Sequence, residues 1–206
     1  YGVARIMNLA NGEILVAGGY FAFIAYTATQ LSPILTIFLV APVAFVLNWL
    51  IYRVMLQPLV NRAKNRGQLE TDSILSTFGL SFIGVGLMLS FFGGDYFSYS
   101  FMAVPVELLG NTYGANRVLS FVMAVLICGA LYIWLNRSRS GLSIRAIATA
   151  PASARLVGID VKNLSALAFA LGGAVTAVGG ALISTYLTLD ASTGVVFTLK
   201  ALIIVI

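Results

Sequence analysis

The chain has 206 residues, of which 60% are hydrophobic and only 9% are charged, and its mean hydropathy is +0.98. Soluble domains carry about 25% charged residues, so this composition excludes a water-soluble globular fold. A net charge of +5 would suggest nucleic acid as a partner of a soluble protein. Here the basic residues lie in short stretches between apolar runs, which indicates membrane topology and no nucleic-acid binding.

Apolar stretches predict transmembrane helices along the whole chain. About 20 apolar residues span a bilayer, and these stretches lack the period-2 alternation of β-barrel strands. The predicted helices are Glu13–Gln30, Ile34–Met55, Ile74–Phe92, Val118–Leu135, Leu164–Leu189 and a truncated sixth from Phe197 onward. The sequence therefore predicts an all-α, polytopic transmembrane helical bundle, with five complete helices plus a truncated sixth in a single domain over residues 1–206.

Both ends of the sequence lack the features of natural termini. The chain begins at Tyr1 without a methionine and ends inside the apolar run Leu199–Ile206. We therefore expect a fragment, truncated at both ends, of a longer membrane protein with further helices.

A polar stretch, Asn8-Leu9-Ala10-Asn11-Gly12-Glu13, directly precedes the first predicted helix. Asn-Gly favours a break in regular structure. Asn11 could cap the helix, and Glu13 would lie in its first turn, where the helix dipole favours an anion. Two interpretations remain open: a broken helix whose Asn8, Asn11 and Glu13 face a solute pathway, or a cap at the membrane surface. The sequence leaves the depth of Glu13 open.

The third predicted helix carries hydroxyl groups on one face. Ser73, Thr77 and Ser81 are spaced four residues apart and therefore share a face of a helix. They either line a pathway, with Thr77 and Ser81 as candidates, or bond back to carbonyl groups of their own helix.

Nine of the twelve basic residues lie in two connections on the same predicted face. The opposite connections, Leu31–Pro33 and Gly93–Asn116, hold no lysine or arginine. The positive-inside rule therefore predicts that the two basic connections are cytoplasmic. They contain Arg53, Arg62, Lys64 and Arg66 in the first, and Arg137, Arg139, Arg145, Arg155 and Lys162 in the second.

The second basic connection, residues 137–163, also carries apolar side chains that do not fit a solvated linker: Leu142, Ile144, Ile147 and Leu156. Its alanines favour short amphipathic helices, the second of which Gly158 could end. From the residues alone, the segment is either a docking surface for another protein or an interfacial segment held by lipid headgroups.

Small residues recur at helical spacing along the fifth predicted helix. Such a strip lets another helix approach closely, so we expect tight packing with a neighbour within this chain or across a subunit interface. The strip contains Gly172, Gly173, Thr176, Ala177, Gly180 and Ala181.

The residue types on which most catalytic and metal sites depend are scarce. Histidine is absent, and the single cysteine, Cys128, lies in an apolar run. The sequence contains no GxxxxGK[ST] phosphate-binding loop, no HExxH motif and no serine-elbow motif. We predict no catalytic residue, no metal site and no cofactor.

Several stretches carry a family resemblance. Met7–Glu13, Leu75–Ser81 and the pair of segments Gly141–Ala146 and Ala154–Val161 are similar to the "INFAHGE", "LATFGLS" and "G-ARA…A-LLGINV" stretches of ABC-importer permeases for branched-chain amino acids. The chain most closely resembles the LivH-type membrane subunit. Gly19-Tyr20, Ala168–Ala174 and Leu199–Ala201 match further family stretches. Asn11 stands where the family usually has histidine, so this position keeps hydrogen bonding but cannot titrate.

The resemblance implies a transport subunit rather than an enzyme, in the cytoplasmic membrane of a bacterium or archaeon. Such permeases pair with a second, related permease subunit, two cytoplasmic ATP-binding subunits and a periplasmic or extracellular solute-binding protein. Solute, here branched-chain or related amino acids, would cross by alternating access. Residues 137–163 would be the cytoplasmic coupling loop seated on the ATPase, with Gly141, Arg145, Ala154, Arg155 and Gly158 as the matching residues.

Other functions stay open at the level of sequence. The family's relatives include permeases for urea and short amides. An ion-coupled secondary transporter or channel would be expected to show several paired ionisable residues within its helices. Only Glu13 is a fair candidate here, with Asp190 near the far end of its helix. The absence of histidine argues against an intramembrane enzyme.

Overall fold

The computed structural model describes residues 6–63, 65–99, 101–102, 104–108 and 110–205. Lys64 of the first basic connection lies outside the described residues, and so do the side chains of Arg66 and Arg155.

The described residues form nine α-helices and one small hairpin. The helices are α1 (Asn11–Thr29), α2 (Pro33–Ile51), α3 (Gln57–Arg62), α4 (Arg66–Phe92), α5 (Ala115–Arg137), α6 (Arg139–Thr149), α7 (Pro151–Leu156), α8 (Val161–Ile183) and α9 (Thr193–Val205). A π-helical segment, Tyr52–Leu56, joins α2 to α3. Strands β1 (Pro105–Leu108) and β2 (Asn111–Gly114) pair antiparallel between α4 and α5.

Four helical stretches of the described chain are long and apolar enough to cross a membrane: Pro33–Arg62, Gly67–Phe92, Ala115–Arg137 and Val161–Ile183. Thr193–Ile204 is a shorter apolar helix. Helix α1 is not among the four, and its first turn contains the polar residues Asn11 and Glu13. The all-α, polytopic bundle is confirmed, although this criterion gives four complete spans where the sequence predicted five.

Several predicted helix boundaries are wrong, among them the start of α4 and the end of α8. Helix α4 begins at Arg66 rather than Ile74, so it extends into the first basic connection. Helix α8 ends at Ile183 rather than Leu189. Leu189 instead pairs with Phe97 in an antiparallel bridge, with N–H···O distances of 2.9 and 3.1 Å. The end of α8 is therefore set by a tertiary contact rather than by the apolar pattern.

Helix α8 is the centre of the bundle, because it packs most extensively against α1 and α2. Its contact with α1 brings backbone against backbone. A Cβ atom at Gly180 would lie 1.8 Å from the carbonyl oxygen of Leu15, and one at Gly18 would lie 2.1 Å from that of Ala177. Only glycine allows this separation.

The strip of small residues on α8 divides into two faces. Gly173, Ala177, Gly180 and Ala181 are buried, and a Cβ at Gly173 would lie 2.1 Å from the side-chain Cγ of Asn48 on α2. Gly172 and Thr176 line a cavity instead. A Cβ at Gly172 would meet no atom of the described chain within 4 Å. The tight packing expected at Gly172 is therefore not found within the described chain, because the strip is wider than one helix contact.

The two basic connections meet at one end of the bundle, which we call the basic end. The Arg53 guanidinium donates a hydrogen bond to Asn163 Oδ1, and Asn61 and Lys162 line one cavity. The prediction that both connections share a face is consistent with these contacts.

Aromatic stacking holds the connection after α4 onto α1 at the opposite end, which we call the hairpin end. The ring of Tyr20 lies 4.3 Å from that of Phe92 and 4.0 Å from that of Phe97, and the ring of Tyr26 lies 4.9 Å from that of Tyr99. Burial raises the pKa of the Tyr99 phenol. The phenol therefore stays protonated at neutral pH, with its oxygen 3.2 Å from that of the Ser184 hydroxyl.

Gly180→Ala tests the contact between α1 and α8. The added methyl group would clash with the backbone carbonyl of Leu15, which cannot move without moving α1. We therefore expect the free energy of unfolding to fall by about 1–3 kcal/mol. Unfolding of the full-length chain in mixed detergent micelles measures the change. Gly179→Ala is the matched control, because a Cβ there meets no atom of the described chain within 4 Å. Equal stability of the two variants would contradict the contact.

Candidate functional site

The chain is not helical at residues 6–10, directly before α1. Ala10 is the N-cap residue of α1 and Asn11 is its first helical residue, so the predicted cap by Asn11 is wrong. Asn8 organises the break instead: its Oδ1 accepts the N–H of Ala10 at 3.0 Å, and its Nδ2 donates to Asn11 Oδ1 at 2.8 Å. Glu13 lies in the first turn of α1, as predicted.

The break lies deep in the bundle rather than at its surface. Glu13 packs against Gly84 of α4, where an added Cβ would lie 3.2 Å from the Glu13 Cβ. Gly84 precedes the end of α4 at Phe92 by eight residues, about 12 Å along the axis at the rise of an α-helix. Glu13 therefore lies beside the middle of α4 rather than beside its end, and the choice between a pathway and a surface cap stays a prediction.

Two threonine hydroxyl groups satisfy backbone groups that the break leaves free. Thr77 Oγ1 on α4 accepts the N–H of Leu9 at 3.2 Å. Thr198 Oγ1 on α9 accepts the N–H of Gly12 at 2.8 Å and donates to the carbonyl oxygen of Leu9 at 3.1 Å. Non-helical backbone is tolerated at membrane depth only where such partners are present.

The hydroxyl face predicted on α4 is buried. Ser73 donates back to the carbonyl oxygen of Glu70 at 2.9 Å, and the Thr77 hydroxyl lies 2.8 Å from the carbonyl oxygen of Ser73. These contacts fit the interpretation that the hydroxyls bond back to their own helix. The described lining of the two cavities flanking the break includes neither Thr77 nor Ser81, so their role in a pathway stays a prediction.

A cavity of about 210 Å³ lies on one side of the break, between α8 and α9. Asn8 and Asn11 line it together with Gly172, Thr176 and Thr198. Two residues of the predicted pathway therefore share a cavity with the open face of the small-residue strip.

A second cavity, of about 380 Å³, lies on the other side of the break among α1, α2 and α4. Its described lining is apolar apart from Glu13 and Asn48, which are 4% and 2% exposed. Asn48 Nδ2 donates to the carbonyl oxygen of Ala44 at 2.8 Å. Both carboxylate oxygens of Glu13 and Oδ1 of Asn48 have no hydrogen-bond partner among the described residues.

Sequence analysis missed Asn48 and Thr198. Asn48 was visible as a lone amide within the apolar stretch of α2, a position where a polar side chain is costly unless it is bonded. Thr198 carries no such signal, because hydroxyls are common in apolar helices. Its contact with Gly12 joins residues 186 positions apart.

The second basic connection folds into α6 and α7, which confirms the predicted pair of short helices. The Ser138 hydroxyl caps α6 by accepting the N–H of Gly141 at 2.9 Å. A Cβ at Gly141 would lie 2.5 Å from the Cα of Leu135, so glycine permits the sharp turn between α5 and α6. Ile144 and Ile147 are buried and anchor α6 to the bundle.

The segment from α7 to α8 presents apolar side chains outward. Gly158 has a φ of +79° and Ile159 N–H bonds back to Ala154 O at 3.1 Å, so Gly158 ends α7 as predicted. Leu156 and Val157 are 88% and 75% exposed. Ala154 is buried.

Three of the five predicted coupling residues have structural roles in the segment. Gly141 permits the turn between α5 and α6, Ala154 is buried, and Gly158 ends α7. Arg145 is exposed and donates to Asn136 Oδ1 at 2.7 Å. The Arg155 side chain lies outside the described part.

The known proteins that this chain resembles all carry the name of one family. The BraD permease protein of Pseudomonas aeruginosa is 30% identical over 203 residues, which cover 89% of this chain and 62% of BraD. LivH of Escherichia coli is 26% identical over 200 residues, covering 90% of this chain and 63% of LivH. A probable LivH of Methanocaldococcus jannaschii is 26% identical over 193 residues, covering 89% and 58%. All three are named as branched-chain amino acid transport permeases.

The chain spans about three fifths of the length of these curated relatives. No solved structure matches it. A family model described as "Branched-chain amino acid transport system / permease component" matches residues 1–206. Because this match covers the whole sequence, the chain belongs to the family of branched-chain amino acid transport permease components.

Proposed function

We propose that this chain is the membrane-spanning permease subunit of an ATP-driven importer that moves branched-chain or related amino acids by alternating access. The observation that carries the proposal is the non-helical segment 6–10 inside the bundle, with a cavity on each side. Non-helical segments that line a cavity form solute sites in many transporters. The relatives' names supply the solute class.

The contacts of the break suit a pathway that opens and closes. Helices α1, α2 and α8 form one tightly packed unit through their glycine contacts. Helix α4 meets the break through Thr77, contacts α1 at Gly84 and Phe92, and leaves side chains such as Phe82 and Phe91 exposed. A shift of α4 against that unit exchanges few hydrogen bonds, so it can change access to the second cavity.

The partners in this proposal are those that membership of the family implies. ATP hydrolysis belongs to two cytoplasmic ATP-binding subunits at the basic end, and a solute-binding protein delivers solute at the hairpin end. A second, related permease subunit covers part of the exposed apolar surface in the cytoplasmic membrane.

Residues 137–163 are the proposed coupling loop to the ATP-binding subunits. Leu156 and Val157 are large apolar side chains exposed at the basic end, where a partner protein would remove them from water. Ile144 and Ile147 connect the same segment to the bundle. Force applied at α7 would therefore reach α5 and α8 through α6. Arg145 and Arg155 supply positive charge for the same contact.

Leucine uptake by the full-length complex in proteoliposomes is the main test of the proposed function. Uptake with the binding protein present should require ATP and should persist when ion gradients are dissipated. Uptake that is independent of ATP but is lost when the proton or sodium gradient is dissipated would establish the ion-coupled alternative. Urea and short amides are assayed in parallel, and their transport in place of leucine would reassign the solute.

Cysteine labelling tests the proposed orientation. In a Cys128→Ser background, Ser98→Cys places a thiol at an exposed position of the hairpin end, and Ser140→Cys places one at an exposed position of the basic end. A membrane-impermeant maleimide should label the first variant in intact cells, or in spheroplasts where an outer membrane is present. It should label the second only after permeabilisation. Labelling of both from outside would refute the orientation.

Leu156→Glu tests the docking surface. We expect it to reduce retention of the ATP-binding subunit, and with it ATP-driven uptake, by about tenfold, because a charge in a desolvated apolar contact is strongly unfavourable. Co-purification measures retention. Val104→Glu makes a comparable change at an exposed residue of the hairpin end and should retain the subunit normally. Normal retention by both variants would favour contact with lipid headgroups instead.

A further inference from the structure

We propose that the cavity at the basic end, between the start of α8 and the stretch from the π-helical segment through α3, binds the phosphate group of an anionic phospholipid. The inference goes beyond the proposed function, because it concerns the membrane around the chain rather than the transported solute. Sequence analysis considered lipid headgroups only as an alternative partner of residues 137–163, and it did not identify this cavity.

The lining of the cavity is suited to an anion. Tyr52, Gln57 and Asn61 line it from the π-helical segment and α3, and Lys162 and Ser165 line it from α8. The described lining contains one cationic residue and no acidic residue. Ammonium, amide and hydroxyl groups all donate hydrogen bonds to phosphate oxygens. The volume of about 490 Å³ falls within the range of small-molecule sites.

The donor groups of this lining are free to bind a ligand. Among the described residues, no hydrogen bond or ion pair joins the side chains of Gln57, Asn61 or Lys162 to another group. The acidic residue closest in sequence, Asp160, is the N-cap of α8 and accepts the N–H of Asn163 at 3.2 Å. Its charge is therefore placed at the positive end of the helix dipole, and Lys162 keeps no ion-pair partner in the described chain.

The cavity lies at the level where the membrane meets water. The apolar stretch Pro33–Arg62 ends beside it, and Val161–Ile183 begins beside it. Phospholipid headgroups surround the ends of such spans. Trp49 lies on the first of the two spans, with the Arg53 guanidinium 4.7 Å from its ring centroid, and tryptophan is typical of the membrane–water interface.

Two features favour a lipid over free phosphate. Leu50 and Val54 are exposed on the same span, so acyl chains have an apolar surface next to the basic end. Val60 and Val161 belong to the lining itself and suit the glycerol and first methylene groups of a lipid better than a hydrated ion. Basic cavities between transmembrane helices on the cytoplasmic side are a known form of anionic lipid site.

The experiment uses the full-length membrane complex in detergent after removal of bound lipid. Native mass spectrometry measures the affinity of the tightest-bound lipid for phosphatidylglycerol and phosphatidylcholine with identical acyl chains. The parent complex should prefer phosphatidylglycerol by about fivefold or more, the factor expected for one basic residue beside an anionic headgroup.

Lys162→Gln should lower the affinity for phosphatidylglycerol by about fivefold and leave that for phosphatidylcholine unchanged. Lys162→Arg keeps the charge and should retain the preference. Lys200→Gln makes the same chemical change at an exposed residue of α9 that is not part of the described lining, and it should bind both lipids like the parent complex.

Equal affinity of the parent complex for the two lipids would overturn the inference, as would an unchanged preference in Lys162→Gln or its loss in Lys162→Arg. Inorganic phosphate is titrated against the same complexes. If it binds as tightly as phosphatidylglycerol and this binding is lost in Lys162→Gln, the cavity takes free phosphate and the lipid assignment fails. If Lys162→Gln releases the ATP-binding subunit but keeps the lipid preference, the cavity belongs to a protein contact instead.

Discussion

The structure depends on satisfying the non-helical backbone of residues 6–10 inside the bundle. Buried N–H and C=O groups that lack partners are costly, so these residues require partners from other helices. Thr77 and Thr198 provide them. The close approach that this requires is possible because residue 12 is glycine. A Cβ atom there would lie only 1.7 Å from the carbonyl oxygen of Gly194. The position of the break therefore fixes both α4 and α9 beside the start of α1.

The small residues of α8 explain why cavities remain around that break. Gly180 and Gly18 allow α1 and α8 to touch along their backbones, which makes these helices a compact unit with α2. The neighbouring positions of α8 are equally small but have no helix against them in the described chain, and they leave the space that Asn8 and Asn11 line. One run of small residues thus produces both a close helix contact and an open cavity.

The parts of the structure that the sequence predicted are those encoded locally. Apolar length identified the spanning helices, charge placement grouped the basic connections, and Gly158 marked the end of α7. The errors arise where distant contacts decide. Phe97 pairs with Leu189 and shortens α8, and Asn8 rather than Asn11 organises the break. That Glu13 and Asn48 line one cavity depends on how α1 and α2 pack, which spacing within either helix does not record.

The proposed coupling segment and the cavities beside residues 6–10 lie at different levels of the same unit. Ile144 and Ile147 join α6 to the bundle at the basic end, whereas Asn11 and Glu13 line cavities within it. Helices α1, α2 and α8 are in direct backbone or glycine contact, so in the proposed mechanism displacement at α6 would move them as one unit. Helix α4 forms a wall of the cavity that Glu13 lines. In that mechanism access would change by movement of the unit against α4, and ATP would drive it only through the different affinities of the partners for the two arrangements.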